Sequence, residues 1–318
     1  MCYHKVYCER HKIFFVHNKQ GNKMSNEINE QFLNIKETNK RTGEELTLVS
    51  TSESSVQVVP LMRLGVFVPT LKGTDKAKIT RNTVDASKDF NTLSLYSSEG
   101  FEKVIISGPR LDMDTDFKVW VGIISVLTDS DHPITNEGKI VIPFSEFARR
   151  CGFPRGRMKQ ELRTRLKDSI KKIMSTIVEF SKDSGKPTEK THMVQLMGES
   201  TIDIGNDLVL LTPSMSLKDL YASEYKVLLK LKALKSLARK ESAQALYLYL
   251  EGLPTNPAPV SIKRFRERLN LTSRTALQNA TIKKALKQLE EIGYLEYQEM
   301  KNGRDIVFNI IKRNPKLQ

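Results

Sequence analysis

The sequence predicts an α+β protein made of two copies of one unit behind a largely disordered N-terminal arm. Length is the first of three observations: 318 residues exceed what a single hydrophobic core usually holds, so the chain should split. The second is an internal repeat. IPFSEFARRCGF at 142–153 and VSIKRFRERLNL at 260–271 align without a gap, pairing Phe147 with Phe265, Arg150 with Arg268 and Cys151 with Leu269. The third is shared order: each segment follows an apolar helix and a short strand, and leads through a turn to a basic amphipathic helix and then strands. Helix, strand, helix, turn, helix, hairpin is the winged-helix variant of the helix-turn-helix, here in tandem.

Residues 1–55 show no sustained period of 2 or 3.6 and end in the polar run Ser50 to Ser55, the composition of a disordered arm. His4, His11, His17, Cys2 and Cys8 match no zinc-ligand spacing, so no metal is assigned there. Met24 followed by Ser25 is a second candidate translation start.

Residues 56–213 are expected to form the first domain, with lead-in strands at 56–59, 66–68 and 104–106. Phe117 to Leu127 is apolar enough for a buried helix, and Asp112, Asp114 and Asp116 sit where its N-terminus needs caps and negative charge. A calcium loop would need Gly and Glu where Phe117 and Ile123 stand. A strand at 139–142 leads to a helix at 145–151 with Ser145 as N-cap and Gly152 as stop. After a turn at 153–156, Met158, Leu162, Leu166, Ile170, Ile173 and Ile177 mark one apolar stripe on a long helix. Strands follow at 177–180, 193–197, 201–204 and 208–211.

Residues 214–318 are expected to form the second domain. It opens with one helical stretch from Leu217 to Leu253, closed by Gly252 and Pro254. A strand at Val260, a helix at 262–269 and a turn at 270–273 precede a second long helix with Ile282, Ala285, Leu286, Leu289 and Ile292 as its buried stripe. The final hairpin is signalled by Asn302-Gly303, which suits both positive-φ positions of a type I′ turn.

The charge is +14 with a pI near 9.5, an excess that asks for a polyanionic partner. It is localised. From Arg149 to Lys172 ten Lys/Arg meet two acidic residues, and from Lys263 to Lys316 thirteen meet six. Two basic patches on matching helix-turn-helix elements favour double-stranded DNA, because a helix fits the major groove and a wing lies along the backbone beside it. In the second repeat Lys283, Lys284 and Lys287 oppose the apolar stripe, and Ser273, Arg274, Thr275, Gln278 and Asn279 occupy the turns that reach base edges. Arg264, Arg268 and the wing residues Lys301, Asn302 and Arg304 complete that set. In the first repeat Arg155, Arg157, Lys159, Arg163, Lys167 and Lys171 take the equivalent part.

Other chemistry finds little support. No phosphate-binding G-x-x-x-x-G-K-[ST] loop, no His-x-His metal anchor and no Cys with a recognisable His and acid signature occurs, so no catalytic residue, cofactor or metal is assigned. Three cysteines make no disulfide framework, which suits a reducing cytoplasm. No apolar run reaches the ~20 residues of a membrane span.

The segment LLKLKALKSLARKESAQALYLYLEGL at 228–253, followed by IKRFRERLNL, a basic helix and a hairpin, resembles the replication initiator (Rep) proteins of theta-replicating bacterial plasmids. The resemblance covers roughly 110–315 and implies a non-enzymatic initiator that binds directly repeated origin sites. It further implies that the protein helps open adjacent AT-rich DNA and recruits the host initiator and replicative helicase. In many members a homodimer formed through the first domain represses its own promoter, and the resemblance allows that here. The long segment before the first domain is not part of the pattern, and the recognition segment 272–284 is this chain's own. Two other readings stay open on the residues: a transcriptional repressor with the same tandem fold, and a nicking rolling-circle initiator using one of nine tyrosines.

Overall fold

The computed structural model describes residues 4–7, 14–17, 32–38, 43–70, 82–85, 103–129, 131–132, 134–154, 160–182, 186–223, 225–303 and 305–317. Strands β1 (His4–Tyr7) and β2 (Phe14–His17) pair antiparallel, as do β3 (Ile35–Thr38) and β4 (Glu45–Leu48). The arm expected over 1–55 is thereby shortened. Phe32, Leu33 and Ile35 are buried, and the Leu33 N–H donates to the Leu127 carbonyl at 2.9 Å. Three apolar side chains within four residues set no period along the chain, yet they anchor a segment once a core edge takes them out of water. Next come β5 (Ser54–Val58), the one-turn helix α1 (Val59–Arg63), a turn at Gly65 and β6 (Phe67–Val68).

The first unit contains β7 (Asn82–Asp85), β8 (Lys103–Gly108), β9 (Leu111–Asp112), α2 (Asp116–Leu127), β10 (Ile140–Pro143), α3 (Phe144–Arg150) and α4 (Gln160–Met174). After these come β11 (Ile177–Lys182), β12 (Lys190–Gln195), β13 (Glu199–Asp203) and β14 (Leu208–Thr212). The Asp string acts at the start of α2 as expected: Asp112 Oδ1 accepts from the Thr115 N–H at 2.7 Å. Ser145 is not the cap of α3, because β10 runs on to Pro143 to pair with Leu208 and the helix starts at Phe144. Gly122 lets α2 and α3 touch, since a Cβ there would stand 2.4 Å from the Cys151 sulfur.

The chain continues with α5 (Met215–Ser223), β15 (Lys226–Lys230) and α6 (Leu231–Ser236) before the second run of helix, strand, helix, helix and hairpin. Then come α7 (Glu241–Glu251), β16 (Val260–Ser261), α8 (Ile262–Leu269), α9 (Thr275–Glu291), β17 (Leu295–Asn302) and β18 (Asp305–Arg313). The single helix expected over 217–253 is thus three helices with a strand between them. Its KVLLK segment pairs antiparallel with β5, Val56 opposite Leu228, and that tertiary pairing overrides helix propensity. At the wing, Asn302 pairs with Asp305, so Asn-Gly is not the centre of the turn; Gly303 alone of that pair has positive φ, at 62°.

Topology shows which strands are wings. Both units contain a three-stranded sheet in which the first strand pairs with the third and the third with the second: β10-β14-β13 and β16-β18-β17. The wing of the first unit is therefore β13 and β14, while β11 and β12 belong to a separate sheet with β8 and β7. The residues matched by the repeat share environments. Phe147 and Phe265 are fully buried, as are Cys151 and Leu269 to within 2%.

The segment 54–70 straps the units together. β5 pairs with β15, while Gln57 Oε1 accepts from Trp120 Nε1–H at 3.0 Å and the Val56 carbonyl accepts from the Tyr221 hydroxyl at 3.2 Å. β6 pairs in parallel with β9, and beyond it the Thr70 N–H donates to Glu241 at 2.7 Å. Arg110, half in each unit's territory, donates to the Asn270 carbonyl at 3.0 Å, and burial pushes its pKa down to about 10.

Candidate nucleic-acid interface

In α9 the buried residues Ile282, Ala285, Leu286 and Leu289 fix which side of the helix faces in. At 3.6 residues per turn the opposite side then carries Ala276, Leu277, Ala280, Lys284 and Lys287. All five are exposed. Lys284 and Lys287 make no ion pair among the described residues, and Ser273, Arg274 and Thr275 are exposed around the start of the helix. Beyond the helix Lys301 and Asn302 are exposed at the tip of the wing. Lys283 is tied to the wing, its ammonium 2.6 Å from Glu299 Oε1.

Several expected base and phosphate contacts face elsewhere. Gln278 turns back to donate to the Leu271 carbonyl at 3.0 Å, closing the turn rather than reaching out. Asn279 is half-buried. Arg268 was expected on the surface but is 4% exposed, because its guanidinium donates to the Arg63 carbonyl and lies 5.8 Å from the centre of the Tyr249 ring. Arg264 is half-buried with its guanidinium 6.0 Å from the same ring. Leu277 is exposed on the same outward side, a position that the phase of the apolar stripe alone dictates.

The first unit differs more. Within α4 Leu162, Leu166, Ile170 and Ile173 face in, and Lys167 and Lys171 are exposed without an ion pair among the described residues. Arg163 is engaged, pairing with Asp207 at the end of the wing loop and stacking 4.1 Å from the Phe144 ring centre, so it is not a free phosphate contact. Arg165 donates to the Thr115 hydroxyl at 2.6 Å, and Lys172 to Asp116 at 2.9 Å. Burial alone would push the Lys172 ammonium down, but Asp116 and Asp112 outweigh it and hold its pKa above the usual lysine value. Arg150, the counterpart of Arg268, is 2.5 Å from Asp129 and 2.9 Å from Glu146, which His132 also contacts at 3.1 Å. Four of the seven described cations between Arg149 and Lys172 are thus met by carboxylates from outside that segment. Arg155, Arg157, Lys159 and Arg304 lie outside the described residues.

A family model described as "Initiator Replication protein, WH1" matches residues 83–251, and one described as "Initiator Rep protein, WH2" matches 261–310. The chain belongs to the initiator Rep protein family. It is a plasmid replication initiator with two winged-helix domains. A similar Rep protein is "Replication protein RepA" of Salmonella typhi, 47% identical over 89% of this chain and 79% of that one. Another is "RepFIB replication protein A" of Escherichia coli, 46% identical over 88% of this chain and 85% of that one. Among solved structures, domains 2 and 3 of RctB overlay with a TM-score of 0.48 at 11% identity, over 80% of this chain and 98% of that one. In this Rep chain no helix among the described residues is long and apolar enough to cross a membrane.

Proposed function

We propose that this Rep protein is a sequence-specific reader of duplex DNA that binds directly repeated sites at its plasmid origin. The observation that carries the reading is the outward side of α9, where the small Ala276 and Ala280 flank Leu277 and give way to the exposed Lys284 and Lys287, with the Lys301 and Asn302 wing tip beyond. Small side chains let the helix backbone approach base edges, while the cations neutralise phosphate. Lys167 and Lys171 of α4 add a second, weaker set of phosphate contacts, and Arg155, Arg157, Lys159 and Arg304 extend the two sets. The protein works in the cytoplasm, bending or opening DNA without catalytic chemistry of its own. Membership in the family supports the further roles: opening of adjacent AT-rich DNA, recruitment of the host initiator and replicative helicase, and repression of its own promoter by a homodimer.

The test is a titration of full-length protein on a labelled duplex carrying the plasmid's own origin. About 6 to 10 phosphate contacts should lower affinity roughly 10³- to 10⁵-fold between 50 and 200 mM salt. Equal affinity for a scrambled duplex would defeat the sequence-specific reading. A covalent protein–DNA adduct on a denaturing gel would defeat the non-enzymatic one.

A further inference from the structure

We propose that Leu277 reads a thymine in the major groove through the C5-methyl group of the base. This rests on the assignment of α9 as the base-reading helix. Leu277 is in the first turn of α9 and is 60% exposed, standing outside the apolar set packed on the core. The helix itself sets its direction: its N–H donates to the Arg274 carbonyl at 2.9 Å, and its carbonyl accepts from the Thr281 hydroxyl at 2.9 Å. It shares the outward side with Ala276, Ala280, Lys284 and Lys287, so it is the one bulky apolar group among small residues and cations.

Those neighbours decide what it can do. The lysines supply attraction to phosphate, and the alanines let the backbone come close. A branched alkyl group has no hydrogen bond to offer and is favoured only where it leaves water against another apolar surface. Among base edges in the major groove, the thymine methyl is the apolar feature. Gln278, the neighbouring residue chemically suited to adenine, is turned inward onto the Leu271 carbonyl.

The experiment uses the full-length protein to select a preferred duplex from a random library. That duplex is then resynthesised with each thymine in turn replaced by deoxyuracil, which removes only the methyl group. At one or two thymines the wild-type protein should bind about fourfold more weakly, roughly what burial of one methyl-sized group is worth. Leu277→Ala, with circular dichroism unchanged, should bind the thymine duplex with a similar loss and no longer distinguish thymine from uracil at those positions. A Leu277→Ala protein that still makes the distinction overturns the inference, as does a wild type that binds the selected duplex yet ignores every thymine-to-uracil change. Failure to select any preferred duplex overturns the base-reading assignment of α9, and this inference with it.

Discussion

The Arg268 guanidinium donates to the Arg63 carbonyl oxygen inside the protein, fastening the helix before the recognition turn to the strap that joins the two winged units. Its place in a basic run makes it a surface cation by sequence alone, and the fold instead buries it. Its counterpart Arg150 also turns inward, onto Asp129 and Glu146, so this position of the unit is structural in both copies. Replacing Arg268 by Ala removes a charged hydrogen bond and the group over Tyr249, and should lower stability by about 1.5–3 kcal/mol. Urea unfolding measures that loss; affinity for DNA, corrected to the folded fraction, should be unchanged.

Gly65 is the backbone side of the same junction. Its φ is +67°, and a Cβ there would stand 2.8 Å from the Arg268 carbonyl oxygen. The left-handed conformation alone costs an Ala about 1–2 kcal/mol, and the contact adds to it. Gly65→Ala should therefore be less stable than wild type by at least that much in urea unfolding, where an exposed glycine such as Gly43 (φ 74°), with nothing within 4 Å of its Cβ position, should show the conformational part only.

Lys284 and Lys287 should act on affinity and leave stability alone. Each is exposed and without an ion pair among the described residues. Replacing either by Ala should reduce the slope of log affinity against log salt by about 1, with similar weakening on specific and non-specific duplexes. Lys283→Ala should change the slope less, since Glu299 already meets its charge at 2.6 Å. Fluorescence anisotropy at several salt concentrations compares the three.

Acid should weaken the first unit through the Arg150 cluster. Burial by itself would raise Asp129 and Glu146, but hydrogen bonds and the Arg150 charge outweigh it and hold both below the usual carboxylate range. A carboxylate held low in the folded state contributes stability above its unfolded value, about 4, and that contribution is lost as pH falls toward the folded value. Arg150→Met should flatten the decline in stability below about pH 4 relative to wild type. Urea midpoints measured across that range for both proteins check it.

Cys151 should be silent to thiol reagents in the native protein. It is 2% exposed against Gly122, and burial pushes its thiol far above the usual cysteine value, so little thiolate forms. Peptide-level mass spectrometry after brief alkylation should find Cys151 unmodified in buffer and fully modified in denaturant.

The periodic stripes were legible from the residues. Leu162, Leu166, Ile170 and Ile173 in α4 and Ile282, Leu286 and Leu289 in α9 are buried because a helix repeats every 3.6 residues, a property of neighbours along the chain. The KVLLK strand was illegible for the opposite reason: its partner β5 lies some 170 residues earlier in the chain, and only that pairing turns a helix-forming composition into a strand.

By itself, then, the sequence determined the repeated winged unit, the two basic helices and the residues that line their cores. Only the tertiary structure decided which cations are free. Along the chain Arg150, Arg163, Arg165 and Lys172 add to one basic run, but in space they meet Asp129, Asp207, Asp114 and Asp116. Coulomb attraction falls with distance through space and takes no account of separation in sequence. A run of like charges therefore says where a patch can be, and its neighbours in the fold say how much of it is left to meet DNA.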